Sequence, residues 1–121
     1  MNYNIKGTEV VITPEIREYL VKRLERFDKF MSAKEAARAD VELGYKAGEE
    51  KRYRAEIMLF EQSLPVPLRA VAEGGALYEA IDKAAGDIFI ELTREKKKKQ
   101  HVFRRGAARI KEYIRGFRSR P

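Results

Sequence analysis

The chain has no cysteine, no tryptophan, one histidine and four prolines in 121 residues. Without cysteine there is no disulfide framework, no thiol nucleophile and no Cys-ligated metal. The lone His101 stands in a basic stretch with no acidic neighbour to orient it, so it lacks the setting of a general base. The only adjacent acids, Glu49-Glu50, fall in a polar turn. Gly74-Gly75 is not followed by the Lys-Ser/Thr of a phosphate-binding loop. No segment approaches the roughly 20 apolar residues needed to span a bilayer, and the first residues lack the apolar core of a signal peptide. These absences point to a cytoplasmic protein that is not an enzyme, with no cofactor, no metal, no membrane association and no small-molecule substrate.

Positive charge is what the chain has, and it is gathered at one end. Residues 93–121 hold twelve Lys or Arg against Glu95 and Glu112, a net of +10, while residues 1–92 hold 14 basic and 17 acidic residues, a net of −3. A near-neutral body with a cationic end suits a polyanion, because each phosphate neutralised by Lys or Arg releases condensed counterions. The plainer reading of such a run is a solvated tail that aids solubility.

Hydrophobic periodicity gives the element order. Met1, Tyr3 and Ile5 alternate with polar residues as in a half-buried strand. Thr13-Pro14-Glu15 reads as an N-cap, a first-turn proline and an acid at the positive helix end. Ile16, Tyr19, Leu20, Leu24, Phe27 and Phe30 then share one helical arc, predicting a helix to about Met31. Residues 39–45 and 53–59 alternate around the turn at 47–50 as a hairpin, and 68–73 form a short fourth strand. After Gly74-Gly75, Leu77, Ile81, Ala84, Ala85, Ile88 and Leu92 repeat at helical spacing. That apolar stripe stops where the basic run begins. The expectation is a two-layer α+β domain, β-α-β-β-β-α, with a four-stranded sheet and two helices packed on one face. Residues 1–99 form this domain, and 100–121 a basic C-terminal extension, partly disordered or helical, in which Gly106 and Gly116 weaken any helix.

The candidate contact residues are cations. On the first helix they are Arg17, Lys22, Arg23 and Arg26, with Glu15, Glu18 and Glu25 available to pair with them. Arg23 falls within the apolar arc, so it either snorkels toward an acid or sits at the mouth of an inter-helix groove. On the second helix they are Lys83, Arg94, Lys96, Lys97, Lys98 and Lys99. Phe89 and Ile90 lie off the apolar stripe, with packing the first reading and contact with a partner the second. The strand aromatics Tyr3, Tyr45 and Tyr53 share the face that the helices cover. Base stacking on the sheet is therefore disfavoured, and recognition of structured RNA by backbone and shape is favoured.

Three stretches resemble the ribosome hibernation promoting factor family, also called ribosome-associated inhibitors. They are Met1-Asn2-Tyr3-Asn4-Ile5-Lys6-Gly7, then Ile12-Thr13-Pro14-Glu15-Ile16-Arg17-Glu18-Tyr19 with Arg23-Leu24-Glu25-Arg26-Phe27, and Leu77-Tyr78-Glu79-Ala80-Ile81-Asp82. The resemblance implies a domain that binds the small ribosomal subunit through ribosomal RNA. There it would occupy the decoding channel used by mRNA and tRNA, and so inhibit translation by idle ribosomes in stress and stationary phase. It also implies that the candidate cations face ribosomal RNA. Two departures stand out. Gly75-Ala76 replaces the acid that usually caps the second helix, which predicts a frayed start. Residues 100–121 are too short for the dimerisation domain of long-form relatives, which predicts a short form that is monomeric when free. A general double-stranded RNA-binding module is the alternative function.

Overall fold

The computed structural model describes the backbone of residues 1–118 and the side chains of residues 1–98. The elements are β1 (Asn2–Thr8), α1 (Pro14–Glu25), two 3₁₀ turns (Asp28–Phe30 and Lys34–Ala36), β2 (Arg38–Tyr45), β3 (Tyr53–Phe60), β4 (Leu68–Gly74) and α2 (Leu77–Arg118). The strands lie side by side in chain order, with β1 parallel to β2 and the other pairs antiparallel. The mixed sheet follows from α1, which carries the chain back across the sheet before β2, as a parallel pair requires. The expected β-α-β-β-β-α order and α+β class are both present.

Strand alternation sets the two faces. Ala39, Val41 and Leu43 on β2 pair with Leu59, Ile57 and Ala55 on β3, and all six are buried. Over them lie Leu20, Leu24 and Phe27, from α1 and the turn after it, and Leu77, Ile81, Ala84, Ala85, Ile88 and Leu92 of α2. The whole predicted stripe of α2 is therefore in the core.

The first helix is shorter than its periodicity predicts. It ends at Glu25, not near Met31, and the chain tightens into i→i−3 bonds from Phe27 N–H to the Leu24 carbonyl, Phe30 N–H to Phe27 and Met31 N–H to Asp28. Apolar residues three apart suit either helix type, so the pattern does not reveal the change. What the turn achieves is aromatic packing. The Phe27 and Phe30 rings lie 6.2 and 5.4 Å from Phe89. The N-terminus of α1 is as expected, with Thr13 Oγ1 accepting from Ile16 N–H at 3.2 Å.

Gly7 holds the entry to α1. A Cβ at this position would collide with the Val10 carbonyl oxygen and stand 3.2 Å from Ile12, because the chain folds back through Glu9 at φ 58°. Gly7→Ala should therefore lower stability by about 2 kcal/mol, the usual cost of forced overpacking. Urea unfolding of the two proteins measures the difference.

The start of α2 is not frayed. Glu79 Oε2 accepts the Gly75 N–H at 3.2 Å while Oε1 pairs with Lys83 at 2.9 Å. A side chain from the first turn thus caps the helix that Gly75-Ala76 leaves open. Lys83 and the Gly75 N–H hold the Glu79 carboxyl below the usual carboxylate range. From there α2 runs 42 residues, a rod of about 63 Å at 1.5 Å per residue. The expected boundary at residues 99/100 falls inside this one helix. The side chains of residues 99–121, those of Lys99 and His101 included, lie outside what the structure describes. Among the described residues, no helix is long and apolar enough to cross a membrane.

Candidate nucleic-acid interface

The end of α1 and the middle of α2 frame an open groove of about 700 Å³, lined by Arg23, Arg26, Lys29, Asp82, Gly86 and Phe89 among others. Arg23 does both things its position suggested. Its Nε pairs with Asp82 at 3.1 Å, one terminal nitrogen donates to the Tyr19 hydroxyl at 2.8 Å, and its guanidinium lies 5.0 Å from the Tyr19 ring. The Tyr19 hydroxyl in turn donates to Asp82 at 2.6 Å, and the Tyr19 ring meets Tyr78 edge-on at 4.7 Å. Arg23 thus locks α1 to α2 at the mouth of the groove. Its bond to Tyr19 comes first among the causes that raise its pKa.

Two of the candidates, Arg23 and Arg26, meet in this groove, and Lys29 joins them. Sequence reasoning missed Lys29, although it stands three residues after Arg26. Its ammonium sits 5.3 Å from the Phe30 ring. Yet Glu25, Asp28 and Asp82 line the same groove. Three acids oppose three cations, so the groove is not by itself a strong phosphate site.

The remaining candidates divide by partner. Lys22 pairs with Glu18 at 3.0 Å, Lys83 with Glu79 at 2.9 Å, Arg94 with Glu91 at 3.0 Å and Lys98 with Glu95 at 3.5 Å. All are exposed pairs within one helix, worth little and easily exchanged for a phosphate. Arg17, Arg26 and Lys97 are exposed and make no ion pair among the described residues. Past Leu92, the last buried residue of α2 among those described, residues 93–98 hold four cations, Arg94, Lys96, Lys97 and Lys98, and one acid, Glu95. The excess of positive charge therefore begins where the helix leaves the core.

Lys96 stands apart from its neighbours. Its ammonium lies 3.4 Å from Glu61 Oε2 and 2.5 Å from Ser63 Oγ, beneath the β3–β4 loop. Glu61 is the one buried charged residue among the described residues, and it also accepts from Ser32 Oγ, Ser63 N–H and Ser63 Oγ. Burial pushes its carboxyl up, but Ser63, the charge of Lys96 and Ser32 together outweigh that and hold it low. In a run of four lysines nothing in the sequence singles out the one that turns inward, and Glu61 lies 35 residues away.

The outer face of the sheet offers no stacking platform. The Arg38 guanidinium covers the Phe60 ring at 4.3 Å. Glu56 bridges Arg69 and Arg54 at 2.9 and 3.0 Å, and these bonds, that of Arg69 foremost, hold its carboxyl low. Tyr3, Tyr45 and Tyr53 are half-buried on the helix side. Tyr45 and Tyr53 pack at 5.1 Å, and burial, aided by Asp28 and Glu25, pushes the Tyr3 hydroxyl up to about 12.

Comparison with known proteins agrees with this architecture. The chain is 25% identical over 104 residues to the ribosome hibernation promotion factor of Bacillus subtilis (strain 168), covering 86% of this chain and 53% of that protein. With the protein of the same name from Deinococcus radiodurans it is 30% identical over 97 residues, covering 78% and 48%. The chain thus spans about half the length of these curated relatives. The crystal structure of the Thermus thermophilus Protein Y N-terminal domain superposes with a TM-score of 0.68 at 30% identity, over 78% of this chain and 98% of that one. A ribosomal subunit interface protein from Coxiella burnetii shares the fold, with a TM-score of 0.65 at 17% identity over 80% of this chain and 99% of that one. Residues 3–100 match the family described as Sigma 54 modulation protein / S30EA ribosomal protein. That stretch takes in every strand, α1 and the core-packed part of α2, and the chain belongs to this family.

Proposed function

We propose that this protein is a cytoplasmic ribosome hibernation factor. It binds ribosomal RNA of the small subunit and inhibits translation by filling the decoding channel that mRNA and tRNA need. The observation that carries this reading is the change of character along α2. As far as Leu92 the helix belongs to the core, and from Arg94 onward it is a cationic rod. A globular wedge on a basic rod inhibits by occlusion alone, so no catalytic group is required. The groove cations Arg26 and Lys29 and the exposed Arg17 would add weaker contacts, with Lys83, Lys97, Lys98 and Lys99 on α2. Lys96, held by Glu61, serves to anchor the rod. Family membership and the names of the relatives support the ribosome as partner.

Competition tests the reading. The protein should co-sediment with purified small subunits, and mRNA with initiator tRNA should displace it while excess plain RNA duplex does not. Displacement by the duplex would instead identify a general double-stranded RNA-binding module. Binding that is indifferent to mRNA and tRNA would overturn occlusion of the channel.

A further inference from the structure

The outer edge of β4 is unpaired in the sheet, and its sequence, Leu68-Arg69-Ala70-Val71-Ala72-Glu73-Gly74, is complementary to itself. An exposed edge presents free backbone donors and acceptors to another strand. If two such strands run antiparallel about an axis at Val71, Arg69 of each lies opposite Glu73 of the other, Ala70 opposite Ala72, and Val71 opposite Val71. Arg69, Val71 and Glu73 are all exposed and share the sheet's outer face. Both charge pairs therefore lie on one side of the seam, at the separation at which opposite charges on paired strands attract, with Arg69, which already bonds Glu56 of its own sheet at 2.9 Å, shared between Glu56 and Glu73 of the copy. The other edge strand, β1, has no such match, because the same operation about Ile5 sets Lys6 against Asn4.

We propose that two copies of this chain pair edge to edge through β4, antiparallel about a two-fold axis at Val71. A two-fold interface requires one patch to complement itself, and β4 meets that condition in its pattern of charge. Ile90, 53% exposed, lines a groove with Leu68 and Val71 between α2 and β4, so apolar surface lies on both sides of the seam. Asp87 in the same groove repels its own copy and keeps the pairing reversible. The Glu73 carbonyl, at the end of the strand, accepts a long 3.4 Å bond from Lys83. Because α2 runs back along β4, the two basic runs leave the seam in opposite directions, and their like charges stay apart. This pairing belongs to the free protein, in place of the monomer expected from the short chain, and does not depend on the ribosomal reading.

Sedimentation equilibrium over a concentration series tests it. The wild-type chain should show a monomer–dimer equilibrium. R69E places carboxylates on both sides of each charge pair and E73R places guanidinium groups there, so each alone should weaken pairing at least tenfold. An equimolar mixture of the two restores both opposite-charge pairs and should recover the dimer. Val71→Lys, which places two ammonium groups at the axis while facing Glu56 within its own sheet, should also be monomeric and covers the case in which R69E unfolds. A wild-type chain that stays monomeric at every concentration would overturn the proposal. So would a dimer that survives Val71→Lys, or a mixture that stays monomeric when both variants are folded.

Discussion

A chain ending at Lys98 is expected to bind small ribosomal subunits on the order of a hundredfold more weakly than the full chain at about 0.15 M salt. The cut removes eight Lys or Arg (Lys99, Arg104, Arg105, Arg109, Lys111, Arg115, Arg118 and Arg120) and one acid, Glu112. If about half of those cations sit on phosphates, the slope of log affinity against log salt should shrink by about 3 to 4, since each neutralised phosphate contributes close to one. The site of the cut matters. It leaves Lys96 on Glu61 and every core residue in place, so the fold survives and an unchanged urea midpoint confirms that. Co-sedimentation at four or five salt concentrations reads the slope directly. Equal slopes for the two chains would move the anchor inward, to residues 94–98 and the cations of α1.

Much of this architecture is written in local patterns. The alternation of residues 39–45 and 53–59, the Thr13-Pro14 cap and the stripe from Leu77 to Leu92 each reflect one buried face, which a linear pattern records faithfully. What escapes is whatever depends on a partner distant in the chain. Lys96 turning under the β3–β4 loop and Phe89 receiving Phe27 and Phe30 are tertiary choices among residues that look alike in sequence. The site shows the same division. Its charge asymmetry is legible from composition, but the acids that neutralise the inter-helix groove are not. Only the fold brings Asp82 across from Arg23, 59 residues earlier.

Lys96→Ala should cost about 3 kcal/mol of stability, the penalty for leaving a buried carboxylate without its cation, and should lower the melting temperature by roughly 10 °C in a domain of this size. Glu61→Gln removes the charge but keeps a hydrogen-bonding side chain among Ser32, Ser63 and Lys96, so about 1 kcal/mol is expected. In the double variant Lys96→Ala/Glu61→Gln the orphaned charge is gone, and the combined loss should fall well short of the sum. Acid separates the same chains a second way. Because Glu61 is held below the usual carboxylate range in the folded protein, the unfolded chain takes up the proton first as pH falls. The stabilisation is therefore complete above the ordinary carboxylate pKa and is lost as pH drops through the lowered value. Glu61→Gln should lose less stability than wild type over that interval, whereas Lys97→Ala, at an exposed lysine that makes no ion pair among the described residues, should track wild type. Melting curves from pH 7 to pH 3 make the comparison. If Lys96→Ala proves as stable as Lys97→Ala, the base of the basic rod is not clamped by Glu61, and Lys96 returns to the set of cations free to meet RNA.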